Sequence, residues 1–307
     1  MNPSTPPSAP LGASPSTPTS TPLGASPSTS PATGARVERF RRLHEAGCFV
    51  MPNPWDIGSA RMLVGLGFPA VATTSAGMAW ALGRRDNDIS VDLVLAHLRT
   101  IAGCVDVPVN ADFEDGFSAA PDRVAANVAK AAATGVAGLS IEDSSGNRAD
   151  PLYEFGLAVD RIRAARRAID DSGTGVLLTG RSEGFIAGRP DLPETIKRLV
   201  AYAEAGADCL YAPGVRAAGD IADIVRAVAP KPVNVLVGGD YLTVAQLADL
   251  GVRRISVGGA LARAAWTGFL IAAKEIASQG TFTGVGRGIS VPEMNGLFDA
   301  SGRHGAC

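Results

Sequence analysis

From residue 48 onward the chain alternates between two patterns. Short apolar, often β-branched runs end in polar or glycine-containing turns, and Ala-rich segments of helical period follow them. The runs are Cys48-Phe49-Val50-Met51, Ala70-Val71-Ala72-Thr73, Val107 to Asp112, Ala137 to Ile141, Val176 to Thr179, Asp208 to Tyr211, Pro232 to Leu236 and Arg254 to Val257. Several are announced by a glycine just upstream, at Gly47, Gly67, Gly135, Gly206 and Gly251. Glycine accepts the left-handed conformation that ends a helix before the next strand. One intervening segment shows the helical logic in detail. Asp191 is placed to cap, Pro193 and Glu194 suit a first turn, and Ile196, Leu199, Val200 and Ala203 share one face. Helices are also predicted at 37–46, 260–278 and 291–300.

Eight strand–helix units of nearly continuous hydrophobicity imply parallel strands covered by helices. The count favours a closed (β/α)8 barrel over an open doubly wound sheet, which usually has about five or six strands. A Gly-x-Gly-x-x-Gly turn after the first run, which the open sheet would favour, is missing. The barrel is assigned to residues 35–307. Residues 1–34 hold nine of the 21 prolines, no charged residue, and the repeat Pro-Leu-Gly-Ala-Ser-Pro-Ser-Thr at 10–17 and 22–29. That composition predicts a disordered tail. It has neither the basic and apolar regions of a secretory signal nor the arginines of a mitochondrial transit peptide.

Composition narrows the chemistry. A net charge of −2, from 28 basic and 30 acidic residues, gives no electrostatic footprint for nucleic acid or an anionic membrane. No run of roughly 18 apolar residues spans a bilayer. Cysteines 48, 104, 209 and 307 are scattered, which argues against a zinc site or disulfide framework and for a reducing, cytoplasmic setting. Histidines 44, 97 and 304 lie away from any expected site, so carboxylates, arginine and backbone are left to carry the chemistry.

In such a barrel the reactive groups sit where strands end. The second run exits at Thr73-Thr74-Ser75-Ala76-Gly77, ahead of Arg84-Arg85-Asp86; the third at Asp112-Phe113-Glu114-Asp115-Gly116; the fourth at Glu142-Asp143; and the fifth at Gly180-Arg181-Ser182-Glu183. Asp112 and Glu114, two apart on a strand, are expected on one face, with Glu142 beside them from the next strand. Clustered carboxylates repel unless a cation or proton intervenes, and oxygen-only ligands suit Mg2+ or Mn2+. Arg181 adds a forked donor for a carboxylate or enolate oxygen. Asp115, Asp143 and Glu183 read individually as helix caps, Thr74 and Ser75 as either turn residues or substrate ligands, Trp55 and Trp80 as packing, and Cys209 as an apolar filler. The Gly238-Gly239 and Gly258-Gly259 pairs offer a weak phosphate-rim signal.

Read together, Asn53-Pro54-Trp55-Asp56, Thr74-Ser75-Ala76 with Leu82-Gly83-Arg84-Arg85-Asp86, Pro108 to Phe117, Gly138 to Asp143 and Gly180 to Phe185 resemble the isocitrate lyase/phosphoenolpyruvate mutase superfamily over essentially the whole barrel. The resemblance implies a Mg2+-binding Asp112, with Glu114 and Glu142 holding the metal's water shell and Asp86 supporting the site. It also implies a substrate-binding Thr74-Ser75-Ala76 run, an Arg181 that contacts a 2-oxo acid, and a homo-oligomer, dimer or tetramer, whose C-terminal helices are commonly swapped between subunits. Members that cleave isocitrate-type acids carry a Cys-bearing loop after the strand-four Glu, and the phosphonate enzymes carry Lys and Asn there. Here the loop reads Asp143-Ser144-Ser145-Gly146-Asn147-Arg148-Ala149-Asp150, leaving Asn147 and Arg148 as substitutes.

Retro-aldol cleavage needs a base and an acid, whereas decarboxylation of an oxaloacetate-type acid needs no base. The missing Cys therefore tilts the expectation toward a Mg2+-dependent lyase acting by decarboxylation or another C–C scission on a small 2-oxo or 2-hydroxy acid. A phosphonomutase or phosphonopyruvate hydrolase working on a P–C bond is the second expectation, and a barrel that binds a carboxylate without turning it over is the third.

Overall fold

The computed structural model describes Met1 and residues 31–301; the repeats at 10–17 and 22–29, His304 and Cys307 lie outside the described residues. In chain order the elements are α1 (Pro31–Leu43), β1 (Phe49–Met51), α2 (Ile57–Gly65), β2 (Val71–Ala72), α3 (Ser75–Ala81), α4 (Val91–Cys104), β3 (Val109–Asp112), α5 (Pro121–Ala132), β4 (Gly138–Glu142), α6 (Phe155–Ser172), β5 (Leu177–Arg181), α7 (Leu192–Glu204), β6 (Cys209–Tyr211), α8 (Ala218–Val228), β7 (Val233–Leu236), α9 (Val244–Asp249), β8 (Arg254–Ser256), α10 (Ala260–Gln279) and α11 (Val291–Ser301).

Each of the eight predicted runs coincides with a strand, β4 and β5 running on to Glu142 and Arg181, and all the pairings are parallel. The ladder runs from β2 through β3, β4, β5, β6, β7 and β8 to β1. Closure between β1 and β2 rests on Ala72 N–H donating to Pro52 O (3.0 Å) and Asn53 Nδ2 donating to Thr73 O (2.8 Å). The chain is a (β/α)8 barrel. The expected glycines close the helices: Gly67, Gly135, Gly206 and Gly251 have φ of 88°, 93°, 104° and 86°. Asp191 caps α7 by accepting from Glu194 N–H at 3.0 Å.

One boundary differs from expectation. The first helix starts at Pro31, not 37, so ordered structure begins inside the stretch assigned to the tail. Proline suits a first helical turn, and Thr33 is already buried. At the other end, α11 lies against α2 of its own chain. On α10, Trp266, Phe269, Leu270 and Ile271 stay exposed. Among the described residues no helix is long and apolar enough to cross a membrane.

The barrel interior is polar, where branched apolar layers are usual. Asn110, Ser140, Thr179, Asn234, Arg254 and Ser256 are all buried. Arg254, 2 % exposed, spans the floor: Nε donates to Asn234 Oδ1 (2.9 Å), Nη2 to Thr179 Oγ1 (3.0 Å), and Nη1 lies 3.3 Å from His44 Nε2. His44 Nδ1 sits 2.8 Å from Phe40 O, so that nitrogen carries the proton and Nε2 accepts from Arg254. Burial and the Arg254 charge push the His44 pKa down to about 3, so the ring stays neutral. The guanidinium is thus solvated by neutral groups.

Replacing Arg254 by Met would strand these partners in the interior. With roughly 1.5–3 kcal/mol for a hydrogen bond to a charged group and more for orphaned polar atoms, Arg254→Met is expected to cost roughly 3 kcal/mol or more in urea unfolding. A loss under about 1 kcal/mol would show that the floor network is dispensable.

Candidate active site

At the carboxyl ends of β3, β4 and β5 the side chains converge on Arg181. Its Nη1 lies 3.2 Å from Asp112 Oδ1 and 3.1 Å from Glu142 Oε2, and its Nε donates to Glu183 Oε1. Register explains part of this, since Glu142 pairs with Arg181 and Arg181 with Tyr211 across neighbouring strands. The Tyr211 ring centre stands 5.2 Å from the guanidinium carbon. Asp112 Oδ2 accepts from both the N–H and the Oγ of Ser75, each at 3.0 Å. These groups open on a cavity of about 170 Å3 lined by Thr74, Ser75, Ala76, Asp86, Asp112, Arg181 and Tyr211, with Arg254 and Asn234 beneath. A larger groove of about 770 Å3 runs over the alanine-rich outside of α5 and contains none of the rim residues.

Two buried clamps hold the strand ends. Arg161, 1 % exposed, donates Nη1 to Glu142 O (3.0 Å) and Nη2 to Asp115 O and Ser118 O, and stacks 3.9 Å over the Tyr153 ring. Asp143, 2 % exposed, accepts from Glu183 N–H (2.7 Å), Tyr202 OH (2.7 Å) and Arg198 Nη1 (3.2 Å). Asp143 backbone also accepts from Tyr153 N–H, and Tyr153 OH donates to Asp115 Oδ2, both at 2.8 Å. Asp115, Asp143 and Glu183 are therefore not helix caps. Helices α5, α6 and α7 start further on, at Ala120, Glu154 and Asp191, which frees the three acids to tie the loops together.

Other expectations change as well. The strand argument that put Asp112 and Glu114 on one face does not hold, because β3 ends at Asp112 and Glu114 has φ of 46° in the left-handed region. The turn still keeps Glu114 beside Asp112. Thr74 caps α3, accepting from Gly77 N–H at 3.3 Å, and Ser75 spends its hydroxyl on Asp112. Asn147 and Arg148 are exposed on the loop tip and do not line the cavity. Asn53 Oδ1 accepts from Val257 N–H and Gly258 N–H, both at 2.9 Å, so these amides at the Gly258-Gly259 turn are not free for phosphate. Trp55 and Trp80 pack on Gly77 and Gly259, where an added Cβ would come within 2.9 Å and 3.1 Å of them. Glu183, Asp143, Tyr211 and Arg254 were not among the expected site residues. The available signal was polar residues at alternate positions of otherwise apolar strands, as in Arg254-Ile255-Ser256.

Negative charge exceeds positive here. Burial, then Asp112, Asp86 and Asp115, push Glu114 up to about 8 against Arg181's pull. Burial also raises Glu142 and Glu183, with Arg181 opposing. Asp86 is raised by desolvation of its carboxyl and by Asp112. Burial opposes the charge on Arg181, but Glu142 and Glu183 more than offset it. Glu114 Oε1 is buried and accepts no hydrogen bond. An orphaned carboxylate oxygen among like charges fits a cation. Among the described residues no three acidic, His or Cys side chains converge as direct ligands of one ion. A site of one carboxylate plus water is in keeping with Mg2+, which dehydrates reluctantly.

A parallel barrel with its ionisable groups gathered at the carboxyl ends of the strands is the layout of a (β/α)8-barrel enzyme. More particularly, the chain belongs to the phosphoenolpyruvate phosphomutase family, whose model matches residues 40–277. It is similar to a crystal structure of a lyase/mutase-type protein from Burkholderia cenocepacia J2315, with 46 % identity and a TM-score of 0.85 over 87 % of this chain and 98 % of that one. The uncharacterized protein Rv1998c of Mycobacterium tuberculosis is 35 % identical over 222 residues, 71 % of this chain and 81 % of the relative. An oxaloacetate decarboxylase of Chromohalobacter salexigens is 27 % identical over 229 residues, 71 % of this chain and 77 % of the relative.

Glu114 gives a pH signature. Its carboxyl binds a proton in the folded state between its ordinary value of 4.5 and about 8, while the unfolded chain does not, so folding stability contributed here falls as pH rises through that window. In chelator-treated protein the decline of Tm across this window is expected to be shallower for Glu114→Gln. Parallel curves would mean that Glu114 titrates normally.

Proposed function

We propose that the protein is a divalent-metal-dependent lyase that cleaves a C–C bond of a small 2-oxo or 2-hydroxy carboxylic acid, with decarboxylation of an oxaloacetate-type acid the favoured reaction. The observation that carries this reading is the convergence of Asp112, Glu142 and Glu183 on Arg181 beside the Thr74–Ala76 turn. Asp112 would hold the cation, with Glu114 and Glu142 holding its bound waters. When bound, Mg2+ or Mn2+ supplies a Lewis acid for negative charge on the 2-oxo oxygen. Arg181 supplies the forked donor for the substrate's oxyanion, and Glu183 keeps its Nε edge oriented. The cavity lining contains no Cys, His or Lys to act as a base. Decarboxylation requires none. Burial pushes the Tyr211 pKa up to about 12, so its hydroxyl stays neutral and is available to protonate the product enolate. The oxaloacetate decarboxylase relative supports this choice.

The family's own description supports a second reading, phosphonomutase or phosphonopyruvate hydrolase activity at the same site. The exposed face of α10 supports a homo-oligomer, dimer or tetramer, built through the C-terminal helices.

Incubation with Mg2+ and, separately, oxaloacetate, a methylisocitrate-type acid and phosphonopyruvate tests these readings. Pyruvate released from a carboxylic acid is the expected result; a changed phosphorus NMR spectrum would favour the second reading, and binding without product would leave a carboxylate-binding barrel. Turnover is expected to fall by roughly 10³-fold in Asp112→Ala and to vanish with a chelator. Turnover that survives the chelator would refute the metal-dependent mechanism. Light scattering is expected to give a multiple of the 31.3 kDa chain, and Phe269→Glu to reduce it.

A further inference from the structure

The two edges of Arg181 have different partners. On one edge Nε is held by Glu183, which is 4 % exposed, and the Tyr211 ring backs the guanidinium. On the other edge Nη1 lies between Asp112 Oδ1 and Glu142 Oε2, at 3.2 Å and 3.1 Å. Both oxygens of Asp112 are therefore committed, Oδ2 to Ser75 and Oδ1 to Arg181. Oδ2 already accepts two hydrogen bonds and Oδ1 one, so a divalent cation reaching this carboxylate binds at Oδ1, directly beside the Arg181 donor, and competes with it. The Ser75 side is a pair of bonds at 3.0 Å, one from a backbone N–H at the start of α3. The Arg181 side is a single bond at 3.2 Å from the end of a flexible side chain, and a guanidinium repels a divalent cation at contact distance. The Arg181 side yields first.

We propose that Arg181 is the resident counter-cation of the metal site: its Nη1 edge bridges Asp112 and Glu142 until a divalent cation takes over these carboxylates, and the displaced edge then turns to the substrate's carboxylate. The inference rests on the reading of Asp112 as the metal-binding residue. It assigns one side chain two successive duties and an order, cation first and acid second. Glu183 makes the exchange a pivot: with Nε anchored, the far edge changes partners while the side chain stays at the cavity. The carboxylates are thereby kept from repelling one another before the cation arrives, and the substrate-binding donor is withheld until then.

Calorimetric titration with Mg2+ alone tests this without any turnover. Arg181→Met removes the competitor, and Arg181→Lys keeps the charge without a fork to bridge two carboxylates. Both variants are expected to bind Mg2+ about tenfold or more tighter than the wild type. Equal or weaker binding by the variants, with the wild type binding normally, would overturn the proposal. Tightening in Arg181→Met alone would also overturn it, since long-range repulsion rather than bridging would then be the cause. A wild type that binds no Mg2+ would bring down the metal-site reading itself, which keeps the two failures distinct. Should the variants not fold, wild type labelled with 15N-arginine provides the second measurement. Mg2+ is expected to displace the guanidinium resonances of one buried arginine, and an unchanged spectrum would count against the proposal.

Discussion

One guanidinium facing an excess of carboxylates is the constraint around which the rim is built. Asp112, Glu142 and Glu183 surround Arg181, and Glu114 and Asp86 add to the field that raises the acid pKa values. Like charges at such range separate unless the backbone prevents it. The clamps supply that restraint from outside the cavity. Arg161 bonds to carbonyls on both sides of the β3 and β4 exits, and Asp143 joins the β4 exit to the β5 exit and to α7. Neither clamp uses the mouth of the barrel, so the restraint leaves the cavity open to small molecules.

Polarity inside the strands follows from the same requirement. An apolar layer directly under the rim would deepen the desolvation of the acids. Asn110, Ser140, Asn234 and Ser256 instead carry hydrogen-bonding groups down to Arg254, and the apolar core is displaced outward to the strand–helix layer, where Val71, Leu139, Ile141, Leu178 and Leu210 are fully buried. The fold is stabilised at its periphery and kept polar at its centre.

The strand–helix repeat was legible because parallel strands are apolar runs and their helices end in glycine, signals confined to a few neighbouring residues. The rim acids Asp112 and Glu142 and the arginine Arg181 were legible because strand ends could be located. What escaped were properties set by tertiary contact. Asp115 and Asp143 look like caps in a linear reading, because sequence does not show that the helices wait until after Ala120 and Glu154, and Glu183 looks like one although Asp191, the cap of α7, is legible further on. In the turn after β3 Glu114 takes a left-handed conformation two residues ahead of the glycine that marks the turn, so the sequence does not single it out. Asn147 and Arg148 had the right chemistry and loop, but their exposure depends on how that loop is anchored. Arg254 was counted only among strand residues: its alternation with Ile255 and Ser256 marks a polar face, but which face turns inward is set by the closed barrel.

The anchoring of the β4–α6 loop carries a last consequence. Asp143 fixes its start, Tyr153 its end, and Ser144 and Leu152 bridge as a two-residue antiparallel pair between them. Only the tip from Ser145 to Asp150 is free of the rim network. Chain length can change there without disturbing any group that holds Arg181. For a lineage of such barrels this makes the tip a modular graft point: a longer insertion brings a new acid or base over an unaltered Arg181 cluster, and the loop is exchanged while the rim beneath it is kept.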